Sequence, residues 1–267
     1  FSKLSGSCLR SLPSFPGMGR GLLRAKRLCY GAFSFTQEIL LETPAAEFKG
    51  LELVATPIGD PADITLRAIE ALKSASLVIG EERKEVSKLL KRLGIEGKRM
   101  ELLNEHSRDE DVRELADFCA DARVALVTDC GTPGFCDPGA RLVALCRQRG
   151  IAVRSLPGAS SLMVLLSMSG QNLREFVFRG FLPAEREERA RALKELDRET
   201  RPIVLMDTPY RLGRLMSELS AKWPKRRALL GLDFTFPTEA VWEDELATLA
   251  SRVKDRKAEF MVVVYPK

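Results

Sequence analysis

The sequence predicts an α/β fold made of two α/β domains, and three observations support this prediction. Short apolar runs alternate with amphipathic charged runs between residues 51 and 169, as expected for strands and helices that build a largely parallel sheet. Loops rich in glycine and proline follow several of these apolar runs. The alternation starts again after Gly170. We therefore expect a first domain over residues 50–169 and a second over 170–267, preceded by a basic leader over 1–49.

In the first half, each predicted strand is a short apolar run, and the helices carry apolar residues at helical spacing. Leu66, Ile69 and Leu72 form one such stripe, for which Asp63 or Thr65 is a suitable N-cap. The predicted strands are 51–55, 77–80, 100–103, 124–128 and 151–156. The predicted helices cover 66–72, 82–93, 109–120, 140–149 and 162–169.

In the second half, the same criteria predict four strands and three helices. The predicted strands are 176–178, 203–206, 228–232 and 260–265, and the predicted helices are 184–199, 210–223 and 243–256. Basic and acidic residues are interleaved in the helix over 184–199, which indicates an exposed helix with ion pairs along its face.

The net charge of +5 belongs to the N-terminal leader. Residues 1–37 contain six of the 42 basic residues and no acidic residue, so the remainder carries 36 basic and 37 acidic residues. An acid-free segment rich in Ser, Arg and Leu has the composition of a transit peptide, although a plain extension or sequence upstream of a start at Met18 is equally compatible. The protein is expected in the cytoplasm, or in mitochondria or plastids if the leader is a targeting signal.

Cysteine and histidine usage argues against a metal site. The six cysteines form no C-x-x-C pair and His106 is the only histidine, so no zinc site is predicted. Cys119 and Cys146 fall in predicted helices and are interpreted as core residues. No uncharged apolar run approaches the roughly 18 residues that cross a bilayer, so no membrane association is expected.

Four loops at the ends of predicted strands are the candidate binding elements, because ligands of α/β sheets gather at the carboxyl ends of strands. Glycine in these loops permits close approach of a ligand, and free backbone N–H groups can bind a carboxylate, an adenine edge or a ribose. The sequence contains neither a Walker A motif nor a G-x-G-x-x-G motif. The loops cover residues 56–61, 129–139, 157–161 and 207–209.

Motifs in these loops, and one further segment, resemble a known family. The motifs are Thr56-Pro57-Ile58-Gly59-Asp60 with residues 63–68, Asp129-Cys130-Gly131-Thr132-Pro133 with Asp137-Pro138-Gly139, Pro157-Gly158-Ala159-Ser160, and Gly180-Phe181-Leu182-Pro183. In this order, across residues 51–267, they resemble the tetrapyrrole methylase superfamily, in its branch acting on small-subunit ribosomal RNA. Four segments that face the substrate in that branch are altered here: 81–84, 103–106, 207–211 and 232–236.

The resemblance implies an S-adenosylmethionine-dependent methyltransferase that binds its cofactor in a cleft between two α/β domains and forms a homodimer. It further implies transfer to the 2′-hydroxyl of a cytidine in ribosomal RNA, with the small ribosomal subunit as partner. The alternatives are a methylase acting on a small molecule such as a tetrapyrrole precursor, and a non-catalytic ribosome-assembly factor. Carried over by motif, the cofactor-binding candidates are Pro57, Gly59, Asp129, Cys130, Gly131, Pro133, Cys136, Ser160, Ser161 and Met206.

A ribose hydroxyl is a weak nucleophile, so a base or a hydrogen bond is expected to help remove its proton. The candidates are Glu81, Glu82, Glu105 and His106. Glu81 and Glu82 are equally suited to cap the following helix, and a single histidine in a polar segment is commonly just exposed. Tyr210-Arg211 can stack on and pair with a nucleotide, or belong to a solvated helix face.

Overall fold

The computed structural model describes residues 48–266. The predicted leader therefore lies almost wholly outside the described residues, as do Cys8 and Cys29. The described part forms one compact unit that contains two five-stranded sheets. The predicted α/β class is confirmed.

The first sheet is entirely parallel and has the strand order β3-β2-β4-β1-β5. Its strands are β1 (Gly50–Val54), β2 (Leu77–Gly80), β3 (Arg99–Leu102), β4 (Arg123–Leu126) and β5 (Val153–Leu156). The helices between them are α1 (Leu66–Ser74), α2 (Arg83–Arg92), α3 (Asp109–Asp121) and α4 (Gly139–Gln148). Thr65 caps α1, because its hydroxyl accepts a hydrogen bond from the N–H of Ala68 at 3.1 Å.

Helices cover both faces of this sheet, which explains why its central strands are almost wholly apolar. Leu51, Ile79 and Leu126 pack with α3 and α4, and their cluster includes the fully buried Cys119 and Cys146. The other face packs against α1 and α2. The interpretation of the two cysteines as core residues is confirmed.

The second sheet is mixed, with the strand order β6-β7-β10-β8-β9. Its strands are β6 (Val177–Gly180), β7 (Ile203–Asp207), β8 (Arg227–Leu232), β9 (Ala240–Glu245) and β10 (Phe260–Val264). Only β6 and β7 run parallel, whereas β10 is antiparallel to both β7 and β8, and β9 is antiparallel to β8. Its helices are α6 (Arg186–Glu195), α7 (Leu212–Lys222) and α8 (Leu246–Arg252).

Two details of the second half differ from the sequence predictions. Strand β9 was not predicted, and the helix expected over 243–256 is wrong at both ends, because residues 243–245 belong to β9 and the helix ends at Arg252. β9 is a half-exposed edge strand whose outward positions carry acidic residues, so its apolar signal is weak.

Helix α5 (Ser161–Met168) connects the two halves. Leu165 is fully buried against Val204, Met261 and Val263 of the second sheet. The helix therefore follows the last strand of the first sheet in sequence but packs on the second sheet. The division of the chain at residues 169 and 170 remains a prediction.

Within residues 48–266, no helix has both the length and the apolar character that a bilayer span requires. No group of three or more His, Cys, Asp or Glu side chains in this part of the chain is arranged to hold a metal ion.

Candidate functional site

The candidate site begins where the central strands β1 and β4 end. The loops that follow them are joined by a backbone bridge, in which the Thr56 N–H donates to the Gly131 carbonyl at 2.9 Å and the Gly131 N–H donates to the Thr56 carbonyl at 3.1 Å. The Thr56 hydroxyl also donates to the Thr128 carbonyl at 3.1 Å. Gly131 has a φ of +81°, a conformation that glycine adopts without strain. The two loops are thereby fixed against each other.

A cavity of about 330 Å³ lies at this edge, between the two loops and helix α2. Four of the predicted cofactor-binding residues line it, namely Pro57, Gly59, Asp129 and Cys130. The α2 wall contributes Glu85, Lys88 and Arg92 together with apolar side chains. The cavity therefore combines backbone-rich loops with a polar and an apolar wall, as small-molecule sites do.

A second cavity, of about 280 Å³, adjoins the first and shares Ile58 and Cys130 with it. Two further predicted cofactor-binding residues line this cavity: Ser161, the first residue of α5, and Met206 on β7. The remaining wall comes from the second half: Phe181, Asp207, Thr208, Pro209, Phe234, Glu259, Phe260 and Met261. The two cavities together form a cleft between the sheets, which we call the inter-sheet cleft.

The loop after β1 rests directly on the second half. The Asp60 N–H donates to the Thr235 hydroxyl at 2.8 Å. A Cβ atom at Gly59 would lie 2.5 Å from the Phe234 carbonyl oxygen, which is closer than real contacts allow. Gly59 is thus required for the seating of this loop across the cleft.

Four other predicted cofactor-binding residues, although within the described part of the chain, line neither cavity: Gly131, Pro133, Cys136 and Ser160. Gly131 acts through the bridge to Thr56, and Ser160 is the N-cap residue of α5. Cys136 is exposed and has a φ of +64°, so its side chain sits on a tight turn of the loop.

The loop after β4 is organised by Asp137, which the sequence analysis did not single out for this role. Its carboxylate accepts hydrogen bonds from the N–H groups of Gly134 at 2.7 Å, Phe135 at 3.2 Å and Gly139 at 2.8 Å. An aspartate that closes a glycine-rich loop just before a helix is a recognisable signal for such a turn. Asp137 therefore holds the shape of the loop that carries Asp129 and Cys130.

Carboxylates gather around Asp129 at the edge of the first cavity. Partial burial, together with the carboxylates of Glu81, Glu82 and Glu85, raises the pKa of Asp129 to about 6. The Glu81 carboxylate accepts a hydrogen bond from the Thr128 hydroxyl. The cavity lining also contains Lys88 and Arg92, and Lys88 pairs with Glu85 at 2.6 Å. The carboxylates next to Asp129 favour a positively charged group of a ligand at that position.

The four candidate bases fall into two pairs. Glu81 and Glu82 follow β2 and lie close enough to Asp129 to raise its pKa. Glu105 and His106 lie on the turn between β3 and α3, with side chains 84% and 85% exposed and 3.7 Å apart. The second pair lines neither cavity of the inter-sheet cleft.

Beside the second cavity, a buried ion-pair network fixes the end of β7. Arg189 of α6 is only 1% exposed, so the expectation that the basic residues of this helix lie on an exposed face is wrong at this position. Its guanidinium donates to Asp207 Oδ2 at 3.2 Å and to Glu218 Oε2 at 2.7 Å. It also donates to the Leu182 and Pro183 carbonyls. Arg189 thus ties the Gly180–Pro183 segment to the end of β7.

The Asp207 carboxylate is fully engaged by this network. Its other oxygen accepts from the Thr208 N–H at 2.9 Å and lies 3.5 Å from Arg211 Nη1. Arg211, which the sequence analysis considered for contact with a nucleotide, therefore pairs within the protein. Asp207 is a structural anchor of the cleft wall.

Glu259 is a site residue that sequence reasoning missed. It lines the second cavity from the position just before β10. Partial burial and, second, the charge of Glu259 raise the pKa of the Cys130 thiol. This effect indicates that Glu259 faces the loop after β4. Nothing in the local sequence marks this glutamate, because its position depends on the direction of β10.

Comparisons with known proteins agree with this architecture. Residues 50–250 match the family model described as tetrapyrrole (corrin/porphyrin) methylases. A ribosomal RNA small subunit methyltransferase I from Neisseria meningitidis serogroup B is 36% identical over 222 residues, which are 81% of this chain and 76% of that protein.

Solved structures of the same fold are more distant in sequence. A crystal structure of diphthine synthase superposes with a TM-score of 0.65 at 18% identity, covering 81% of this chain and 90% of that one. A uroporphyrin-III C-methyltransferase from Thermus thermophilus, solved in complex with S-adenosylhomocysteine, superposes with a TM-score of 0.55 at 20% identity, covering 81% and 97% of the two chains. At these identities the likeness shows a common fold.

Proposed function

The chain belongs to the tetrapyrrole (corrin/porphyrin) methylase family, and we propose that it transfers a methyl group to the 2′-hydroxyl of a cytidine ribose in small-subunit ribosomal RNA. It is an S-adenosylmethionine-dependent methyltransferase. The observation that carries the proposed substrate is the 36% identity, over 81% of the chain, with a protein named as a methyltransferase of small-subunit ribosomal RNA.

The residues of the inter-sheet cleft fit a folded S-adenosylmethionine molecule. The carboxylates around Asp129 suit a cofactor that carries a sulfonium and an ammonium group. Ile58, Met206 and Phe260 supply apolar surface for the adenosine part in the second cavity. When bound, the cofactor supplies an electrophilic methyl group.

Ten residues are proposed to hold the cofactor, in two roles. Pro57, Gly59, Asp129, Cys130, Ser161 and Met206 line the cleft, whereas Gly131, Pro133, Cys136 and Ser160 shape the loops that form it. Alignment of acceptor and donor and exclusion of water are the main contributions expected from the protein, because methyl transfer is an in-line displacement.

Among the proposed bases, Glu81 and Glu82 have the stronger support because they stand beside Asp129. Their carboxylates also add to the field that favours a cationic cofactor. Glu105 and His106 remain proposals with less support, since both are highly exposed.

A two-part experiment tests this function. Isothermal titration of the full chain should detect binding of S-adenosylmethionine and S-adenosylhomocysteine. Incubation with unmethylated small ribosomal subunits and cofactor labelled in the methyl group should then transfer label to the RNA. Label on a small molecule alone would instead support a tetrapyrrole-type methylase, and cofactor binding without transfer would support an assembly factor.

A homodimer is proposed as the functional assembly. Large apolar side chains are exposed on the described surface, including Phe135 at the loop after β4, and Met163 and Met168 on α5. Exposed apolar side chains of this size are suited to burial against a second copy of the chain. Light scattering coupled to gel filtration should give twice the chain mass of 29.7 kDa, and a mass of one chain would contradict the dimer.

A cytoplasmic location is proposed, with a mitochondrial or plastid location as the alternative if residues 1–37 act as a targeting signal. Fluorescent fusions of the full chain and of residues 38–267 separate the two. Identical distribution of both fusions supports the cytoplasm, whereas import of the full chain alone supports the targeting role.

A further inference from the structure

Glu259 stands between the inter-sheet cleft and a groove on the outer surface. The groove has a volume of about 550 Å³ and is lined by Thr208, Pro209, Tyr210, Lys257, Ala258 and Glu259. Three of these residues, Thr208, Pro209 and Glu259, also line the second cavity of the cleft. Glu259 is the only one of the three with an ionisable side chain.

Hydrogen bonds to Asp233 fix the backbone of Glu259, whereas its carboxylate makes no hydrogen bond within the described residues. Its N–H donates to Asp233 Oδ1 at 3.0 Å, and its carbonyl accepts from the Asp233 N–H at 2.8 Å. Asp233 is itself restrained by the Thr238 hydroxyl at 3.0 Å. Within residues 48–266 the Glu259 carboxylate has no hydrogen-bond or ion-pair partner. It is therefore positioned, yet free to accept a proton.

The other carboxylates of the cleft are less suited to this task. Asp207 is buried and bound by Arg189 and Arg211. Asp129 lines the first cavity and does not line the outer groove formed within residues 48–266. Glu81 and Glu82, the bases favoured by their position beside Asp129, line neither the second cavity nor this groove, and Glu81 already accepts a hydrogen bond from Thr128. Of these carboxylates, only Glu259 lines both the second cavity and the outer groove.

The outer groove carries the features of a nucleotide platform. The side chain of Tyr210 is 79% exposed, and Lys257 Nζ lies 5.0 Å from the centre of its ring. An exposed aromatic ring can stack on a base, and an adjacent ammonium can contact a phosphate. A nucleotide bound here would have its sugar near the entrance to the cleft, which Glu259 flanks.

We propose that Glu259 is the general base that removes the proton of the acceptor 2′-hydroxyl, and that Tyr210 and Lys257 hold the acceptor nucleotide in the outer groove. The inference rests on the proposed function. As the O2′–methyl bond forms, the methyl–sulfur bond breaks and its electron pair stays on sulfur. The hydroxyl proton passes to the Glu259 carboxylate and then to solvent, and the products are the 2′-O-methyl ribose and S-adenosylhomocysteine.

The charges around Glu259 support this role. Asp233, which pairs with Arg256 at 3.6 Å, faces it from the loop between β8 and β9, and Cys130 faces it from the loop after β4. Lys257 lies on its own segment and lines the same groove. Glu259 is exposed at the groove, but partial desolvation of its carboxylate and, second, the charge of Asp233 raise its pKa above the ordinary value of 4.5. A higher pKa makes the carboxylate a stronger base. Activity is expected to be present above that pKa and to be lost as the pH falls through it.

The test compares Glu259→Gln with Glu243→Gln in the full chain, using small subunits as substrate. Glu243 is on β9, where it pairs with Arg227 away from the cleft. Glu259→Gln should lower kcat by about 10²- to 10⁴-fold, the usual contribution of a general base, with unchanged affinity for S-adenosylhomocysteine. Glu259→Asp should restore part of the rate, and the acidic limb of the pH profile should disappear in the glutamine variant. Glu243→Gln should keep the wild-type kcat.

Two results overturn the proposal: a kcat for Glu259→Gln within threefold of wild type, or a reduced kcat with an unchanged acidic limb, which would indicate a structural role. Failure of the wild-type chain to methylate small subunits would instead contradict the proposed function on which the inference rests.

The groove residues are tested separately through substrate binding. Tyr210→Ala should raise KM for small subunits by roughly 5- to 100-fold while kcat stays near wild type, as expected for loss of a stacked base. Lys257→Ala should reduce the slope of log Kd against log salt concentration by about 1, as expected for one lost phosphate contact. Unchanged KM in the first variant and an unchanged slope in the second would place the acceptor elsewhere.

Discussion

The two sheets bring residues to the inter-sheet cleft in different ways. In the first sheet all paired strands are parallel, so the loops after β1, β2 and β4 meet at one edge. In the second sheet β10 runs antiparallel to β7, and Phe260 at its start pairs with Asp207 at the end of β7. The start of β10 therefore reaches the same edge as the end of β7. Strand direction decides which residues can join a site, and in the second half it brings in Glu259.

The largest expected effect concerns the buried network of the second half. Arg189→Met would leave Asp207 buried without its main partner, which should lower the free energy of unfolding by about 3–5 kcal/mol. Chemical denaturation of the purified variant measures this loss. Arg191→Met on the same helix is the matched control, because Arg191 is exposed and should change stability by at most about 0.5 kcal/mol. Equal effects of the two substitutions would show that the network does not organise this half.

An intermediate effect is expected at the loop bridge of the first half. Gly131→Ala and Gly97→Ala both place alanine at a positive φ, +81° and +68°, so each should cost roughly 1–2 kcal/mol of stability. Only Gly131 bridges to Thr56 at the cleft, so only Gly131→Ala should weaken S-adenosylhomocysteine binding, by about tenfold. Titration calorimetry on both variants measures the difference. Equal loss of affinity in both would mean that the bridge has no specific part in binding.

The smallest effect concerns the charge of Asp129, whose pKa is raised to about 6. Its carboxylate is charged above that pH and becomes neutral as the pH falls through it, so attraction for a cation should be lost in the same direction. The sulfur of S-adenosylhomocysteine is uncharged, so this compound serves as the reference ligand. The ratio of the affinity for S-adenosylmethionine to the affinity for S-adenosylhomocysteine should fall by roughly two- to fivefold when the pH is lowered from 8 to 5.

Asp129→Asn provides the control for this pH effect. The variant should show at pH 8 the lower preference that the wild type shows at pH 5, and little further change with pH. A wild-type preference that is constant across this range would contradict a role for Asp129 in attracting the cation.

Much of the first half could be predicted from the sequence, for a physical reason. Parallel strands buried on both faces are strongly apolar, and each is followed by a loop at the binding edge, so the loops over 56–61 and 129–139 could be predicted to meet there. The family resemblance then singled out Pro57, Gly59, Asp129 and Cys130 within these loops, and all four line the first cavity.

The second half was harder to predict from the sequence, because the features that shape its part of the cleft depend on tertiary contacts. β9 is half exposed and carries acidic residues, so it lacks a clear strand pattern. Arg189 sits in a highly charged helix, and only the carboxylates of Asp207 and Glu218 make its burial favourable. Glu259 reaches the cleft through an antiparallel pairing that local sequence does not encode.

The chemical form of the methylated product tests the central claim most directly. After incubation of the full chain with unmethylated small subunits and labelled cofactor, the RNA is digested to nucleosides and the labelled species is identified by mass spectrometry. The account predicts that the label appears in 2′-O-methylcytidine from a single position. Label in a base-methylated nucleoside, or in a small molecule with none in the RNA, would contradict it.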